Sequence, residues 1–381
     1  MVKLKDIGVI ITGNTPKTSD PKNYETTDIP FIKPSDISDD AISYLHNSEF
    51  YISEYAREKS RIVPVDSILF TCIGIIGKIA VNKVECAFNQ QINAIIPDKS
   101  KCLTDYLVYA LQSKKRLLQE TANAPVVPIL NKTQFSEIEI ELPSLEQQEK
   151  ISVQLNKIND LISQRNLQLS KLDELVKSRF IEMFGDTILN PYNWDKEPLG
   201  KVCDVRDGTH DSPKYYDTGY PLVTSKNLSS GDIDFTDCSL ICKNDFDKIN
   251  ERSKVDFGDI LMPMIGTVGN PVIVKIKDEF AIKNVALIKF CDNTKVTNIY
   301  IQALLKSDYF DSEVLGKVRG GTQKFISLGD IRKLEILVPP MELQNQFAEF
   351  VEQTDKLKFE VKQALEKLET LKKSLMQKYF G

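Results

Sequence analysis

Leu142-Pro143-Ser144-Leu145-Glu146-Gln147-Gln148 and Val338-Pro339-Pro340-Met341-Glu342-Leu343-Gln344 open two stretches that superimpose without a gap at a shift of 196 residues. The first runs to Phe184-Gly185 and the second to Phe380-Gly381. Gln148 falls on Gln344, Leu169 on Leu365, Leu175 on Leu371, Lys171-Leu172 on Lys367-Leu368 and Lys177-Ser178 on Lys373-Ser374. A period this long denotes a duplicated domain with its helix rather than a solenoid. Proline is tolerated where a helix starts, and an acid in the first turn (Glu146, Glu342) favours the helix dipole. No further proline or glycine interrupts either stretch before Gly185 and Gly381, which leaves about 38 helix-compatible residues, roughly 57 Å at 1.5 Å per residue.

A seam at alternating spacings of three and four runs through each stretch. In the first it reads Gln148, Ile151, Leu155, Ile158, Ile162, Arg165, Leu169, Leu172, Val176, Arg179, Met183; in the second Gln344, Phe347, Val351, Thr354, Lys358, Val361, Leu365, Leu368, Lys372, Leu375, Tyr379. This spacing predicts coiled-coil helices. The polar members suit a helix pair that must fix one register or also face another partner. Chain order sets direction: if the second helix packs on the first, it runs back toward the start, and the pair is antiparallel. The expected architecture is α+β and internally duplicated, with two mixed globular domains (1–141 and 186–337) joined by two long helices (142–185 and 338–381).

Of the 381 residues, 41% are hydrophobic and 27% charged, enough for two domains with their own cores. The net charge is −5 and the pI about 5.4. A chain that binds nucleic acid unaided usually carries a basic excess, so any such surface here is local or shared with a partner. Seven cysteines without a C-x-x-C pair suit reduced thiols. The opening Met1-Val2-Lys3-Leu4-Lys5-Asp6 lacks an apolar leader, and the most apolar run, Ile68 to Val81, is too short to span a bilayer and carries Lys78. A cytoplasmic location without membrane contact is expected.

The two globular segments repeat one plan. Leu199 to Gly208 answers Leu4 to Gly13, Tyr220 to Thr224 answers Ile29 to Lys33, Ile260-Leu261 answers Ile68-Leu69, and Phe280 to Ala286 answers the Phe88-Asn89-Gln90 region. Ile68 to Ile73 reads as a buried strand, Cys86 to Pro97 as another, and Thr104 to Glu120 as an amphipathic helix. The shift drifts between about 191 and 196, so loops vary while the framework matches, and recognition usually resides in loops.

No catalytic or metal constellation stands out. The two histidines, His46 and His210, lie in different halves; Cys238-x-x-x-Cys242 has no second ligand pair; Gly74-x-x-Gly77-Lys78 lacks P-loop spacing. Asn190-Pro191-Tyr192 resembles the Asn-Pro-Pro-Tyr pocket of amino-methyltransferases but lacks its second proline. What remains is polar and basic material beside strand ends: Lys17, Lys33, Lys78, Asn89, Gln90 and Lys132 in the first half, and His210, Lys226, Lys283, Asn284 and the loop Arg319-Gly320-Gly321-Thr322-Gln323-Lys324 in the second. Lysine and arginine neutralise phosphates, while Asn, Gln and Arg read base edges.

The paired helix openings, each preceded by a short strand (Ile138-Glu139-Ile140, Leu334-Glu335-Ile336), make the chain resemble the specificity subunit of Type I restriction-modification systems. Gly321-Thr322-Gln323-Lys324-Phe325-Ile326-Ser327 looks like this family's domain-ending motif, and Asn190-Pro-x-x-Trp194 like the opening of its second half. Ala122 to Pro128 departs from the Gly-Thr-Gln pattern in the first half. The resemblance implies a non-catalytic subunit in which two target-recognition domains each read half of a split double-stranded DNA sequence. The helices Ile151, Leu155, Ile158, Ile162, Leu169, Leu172 and Val176 with Phe347, Val351, Val361, Leu365, Leu368 and Leu375 would then form the pair, set the gap and dock partners. Two modification subunits would carry S-adenosylmethionine and adenine methylation; restriction subunits would bring ATP and Mg. The competing classes are a stand-alone methyltransferase or nuclease, and a coiled-coil scaffold without DNA function.

Overall fold

The computed structural model describes residues 1–39, 41–121, 129–229, 231–265, 269–291, 294–313 and 325–381, and leaves the side chains of 121 and 311 undescribed. The loop residues Arg319, Gln323 and Lys324, and the Ala122 to Pro128 segment, therefore lie outside the described residues. Two compact units emerge: Met1–Arg165 with Ala364–Gly381, and Asn166–Gln363.

In the first unit a five-stranded sheet has the order Gly8–Thr12, Ile92–Pro97, Ile68–Thr71, Ile79–Asn82, Ser43–Leu45. Alternation along its strands divides two core layers, because successive side chains point to opposite faces. Ile68, Phe70, Ile79, Val81 and Ile95 pack on the face covered by the helix Thr104–Thr121, together with Tyr106, Leu107 and Leu111. Leu69, Ala80, Ile92 and Ala94 pack on the other face, against Ile32, Val63 and Phe88. A second sheet carries Tyr51–Ile52, Ile29–Ile32, Cys86–Phe88 and Ile62–Val63.

The second unit repeats the arrangement with fewer strands. Its main sheet has the order Asp204–Asp207, Val285–Lys289, Ile260–Pro263, Val272–Ile273. Ile260, Met262, Ala286 and Ile288 face the helix side with Tyr300 and Leu304, while Leu261, Val285 and Leu287 join Val223 and Phe280 on the far side. The registers correspond: Ile95 pairs with Ile10 and Ile68, and Ile288 pairs with Val205 and Ile260.

One sequence expectation is corrected. Cys86 to Pro97 is two strands, Cys86–Phe88 and Ile92–Pro97, in different sheets. The break falls at Asn89, whose Oδ1 accepts the Gln91 N–H at 3.1 Å and so folds the chain into a side-chain-closed turn. The counterpart strand breaks at the same place, into Ala281–Ile282 and Val285–Lys289, with Asn284 at a φ of 55°. Short polar side chains tolerate that left-handed conformation.

The long helices span Leu145–Phe184 and Met341–Phe380, 40 residues each, starting two residues after Pro143 and Pro339. Every seam position named from spacing is buried or half-buried, Leu155 and Phe347 fully so. Within the second unit Asp173 meets Lys358 at 2.7 Å, Arg179 lies 5.7 Å from the Phe350 ring, and Phe184 packs 5.5 Å from Phe347. Ascending one helix thus descends the other, and the pair is antiparallel. Within the first unit the Tyr379 hydroxyl donates to Gln154 Oε1 at 2.8 Å.

Gln148 and Gln344 occupy seam positions, yet their amides turn to the globular domains. Gln148 accepts from the Leu103 N–H (2.9 Å) and donates to the Lys101 and Pro143 carbonyls (3.0 and 2.9 Å). Gln344 does the same with the Thr297 N–H and the Lys295 and Pro339 carbonyls (2.8, 3.0 and 2.8 Å). Each unit is also closed by the far end of the other helix: Phe380 packs 5.3 Å from Tyr106, and Phe184 packs 4.8 Å from Tyr300.

Candidate nucleic-acid interface

In both units the segment after the first strand of the main sheet crosses the break between the two strands just described. Gly13 and Gly208 make the crossing possible. A Cβ on Gly13 would lie 2.2 Å from the Asn89 carbonyl oxygen, and one on Gly208 would lie 2.2 Å from that of Ile282. Identical main-chain bonds follow: Asn14 N–H to Phe88 O and Thr209 N–H to Ile282 O, both 3.0 Å. An arginine secures each strand end from the side. Arg61 donates to the Thr12 carbonyl at 2.6 Å, and Arg252 donates to the Asp207 carbonyl at 3.3 Å.

On this shared frame the tips differ. In the first unit Thr15 Oγ1 donates to Gln90 Oε1 at 2.7 Å. In the second, His210 takes the place of Thr15 and Asn284 that of Gln90. The imidazole Nδ1 lies 2.7 Å from Asn284 Oδ1, and Nε2 lies 2.8 Å from Asp207 Oδ2. Hydrogen bonds to Asn284 and Asp207 raise the His210 pKa above the ordinary imidazole value, against burial and the nearby Arg252. Lys283 Nζ donates to Ser212 Oγ at 2.6 Å. A cleft of about 410 Å3 opens beside this loop, lined by Thr209, His210, Ser212, Lys248 and Arg252 among others.

The structure sorts the remaining candidates. Lys17, Gln90, Lys132 and Lys226 are exposed. Lys132 begins a short helix capped by Asn131, as Ser327 caps its counterpart. Lys33 is half-buried, with its ammonium 3.0 Å from the Phe50 ring centroid. Lys78 is engaged internally, donating to the Pro34 and Ile37 carbonyls at 3.2 and 3.0 Å. Its counterpart Asn270 donates to the equivalent Leu228 carbonyl at 2.9 Å, which marks both as braces of the adjoining turn. Asn89 is 7% exposed, and both ends of its amide are taken by Gln91. Lys78 therefore braces the Pro34–Ile37 turn, and Asn89 closes the strand break beside Gln90. Arg61 and Arg252 went unselected from sequence, although they coincide at a shift of 191, within the drift of the repeat.

Also unselected were apolar residues on the outer helix surfaces. Val153, Leu167, Leu175 and Ile181 on one helix and Leu357, Phe359 and Leu371 on the other are 48–63% exposed. Leu175 and Leu371 are repeat equivalents, each 48% exposed. Among the described residues no group of three or more His, Cys, Asp or Glu could hold a metal ion, and no helix is long and apolar enough to cross a membrane.

The chain is thus a doubled α+β module whose copies share a frame and differ at the tips. The model of the Type I restriction modification DNA specificity domain matches residues 1–171 and again 191–372, and the chain belongs to that family. It is 28% identical over 380 residues to the MjaIX Type I restriction enzyme specificity subunit of Methanocaldococcus jannaschii, covering 92% of this chain and 85% of that one. It is 22% identical to the EcoKI specificity subunit of Escherichia coli over 98% of this chain and 86% of the relative. The fold is similar to the crystal structure of a Type I restriction-modification S subunit from M. genitalium, with a TM-score of 0.61 at 13% identity, covering 100% of this chain and 95% of that one.

Proposed function

We propose that this chain is the DNA-recognition subunit of a Type I restriction-modification complex, and that it reads a split, asymmetric target with one tip of each unit. The observation that carries this reading is the pair of unlike tips, Thr15 with Gln90 and His210 with Asn284, on superimposable main-chain hydrogen bonds. Equivalent frames with different side chains suit two related but different half-sites. The chain has no catalytic role in this reading. Methyl transfer from S-adenosylmethionine belongs to two modification subunits, and ATP- and Mg-dependent restriction to further subunits. The exposed apolar residues Leu175 and Leu371, at equivalent places on the two helices, suit docking of two copies of one partner. The net charge of −5 suits a subunit that clasps DNA within such an assembly.

The test is modification-sensitive long-read sequencing of DNA from cells making this chain with its neighbouring modification subunit, against cells making either alone. Methylated adenines in one split motif, present only with both, are expected. Methylation by this chain alone, or a motif independent of it, would overturn the reading.

A further inference from the structure

His210 is one of two histidines in the chain, and it stands at the tip where the first unit has a threonine. Its side chain is 60% exposed, but it rests on Asp207, whose carboxylate is 14% exposed. Both ring nitrogens face oxygen acceptors, Asn284 Oδ1 at 2.7 Å and Asp207 Oδ2 at 2.8 Å. A neutral imidazole has one N–H and one lone pair. It can satisfy only one of these acceptors unless the Asn284 amide turns over, so the arrangement matches the imidazolium.

The same turn holds the loop at three further points. Asn284 N–H donates to the Thr209 carbonyl, Thr209 N–H to the Ile282 carbonyl, and Lys283 Nζ to Ser212 Oγ. The loop is thus tied to the strand break by two main-chain bonds, by the Lys283 ammonium and by the His210 imidazole. The other charged groups around His210 are Arg252, which also bonds Asp207, Lys248 and Asp245 from the helix Lys243–Ser253, Asp211 in the loop itself, and Lys283 on the turn. Arg252 opposes the imidazolium and Asp207 supports it. The Thr15–Gln90 contact has no titratable member.

We propose that His210 is a positioning residue of the second tip: its imidazolium latches the Thr209–Ser212 loop to Asp207 and Asn284, so that discrimination of the half-site read by the second unit is pH-dependent, whereas that of the first is not. This rests on the reading of both tips as DNA-facing. With both nitrogens engaged internally, His210 presents charge and loop geometry to DNA rather than a base-reading hydrogen bond. The latch is complete below the ordinary imidazole value of about 6.5 and is lost as pH rises through the raised value in the folded protein.

The test uses the complex of this chain with its modification subunit and a duplex carrying the motif recovered by methylation sequencing. Competition binding from about pH 5.5 to about pH 8.5 compares that duplex with versions altered in one half-site or the other. For the half-site of the second unit, discrimination is expected to fall on the order of tenfold across the range, while that for the other half stays level. His210→Gln should give low, flat discrimination for the same half only, and retained reading of the other half shows that the chain is folded. Asn284→Asp, which strengthens the acceptor, should move the midpoint upward. A flat profile in the wild type, or an unchanged slope in His210→Gln, would overturn the latch. Absence of discrimination in both halves at every pH would instead remove the DNA-facing reading, and the latch with it.

Discussion

At the scale of single residues, two buried amides join the long helices to the globular domains. Gln148 and Gln344 are both fully buried and make three hydrogen bonds apiece. Gln148→Leu would strand one N–H and two carbonyls, each worth about 1–3 kcal/mol when buried and unsatisfied. A loss on the order of 3 kcal/mol is expected in urea unfolding, with hydrogen exchange rising first at Leu103. Glu137 gives a pH signature. Hydrogen bonds to Lys3 and then Lys5 hold its carboxyl down to about 2. The stabilisation from this exposed pair is present above the ordinary carboxylate value and fades as pH falls toward the lowered one. Glu137→Gln should therefore lessen the fall in melting temperature on acidification. Spacing placed the glutamines on the helices but could not give their direction. A three-four pattern records which positions are covered, and a domain covers a helix as well as another helix does. The same limit hid the internal hydrogen-bond partners of Asn89 and Lys78, whose side-chain types suit a DNA contact.

At the scale of elements, the long helices were legible almost to the residue, because forty positions without an interrupting proline or glycine leave few alternatives. The strand break was not legible. Cys86 to Pro97 is apolar before Asn89 and isoleucine-rich after Gln91, and only the side-chain bond to Gln91 reveals the turn. The helix ends carry distinct duties. Phe347 sits in an aromatic cluster with Phe180, Phe184 and Tyr300. Phe347→Ala should cost about 3–5 kcal/mol, read as a lower midpoint of thermal unfolding. Leu175→Glu combined with Leu371→Glu alters exposed positions, so the melting temperature should hold within about 0.5 kcal/mol of stability, while copurification with the modification subunit falls at least tenfold. Retained copurification would move the docking surface off that face.

At the scale of the whole molecule, duplication explains why architecture was readable and the target was not. Architecture follows from apolar periodicity and matched registers, which repeat; the tips carry different side chains in the two copies and do not. Exchange of Thr15 and Gln90 for His and Asn should alter one half of the methylated motif and leave the other half intact, as read by long-read sequencing. Loss of both halves would mean that the tips serve stability rather than choice. The two buried glutamines bear on how such chains diversify. Each grips main-chain atoms only, an N–H and a carbonyl of the globular domain and the carbonyl of the proline at its own helix opening. At the glutamines the joint between helix and globular domain is therefore made to main chain, whereas at the far helix ends it is made to side chains, Phe380 on Tyr106 and Phe184 on Tyr300. A globular domain of altered sequence keeps the glutamine bonds if its backbone follows the same path, but it keeps the closure at the far helix ends only if a ring still stands at the places of Tyr106 and Tyr300.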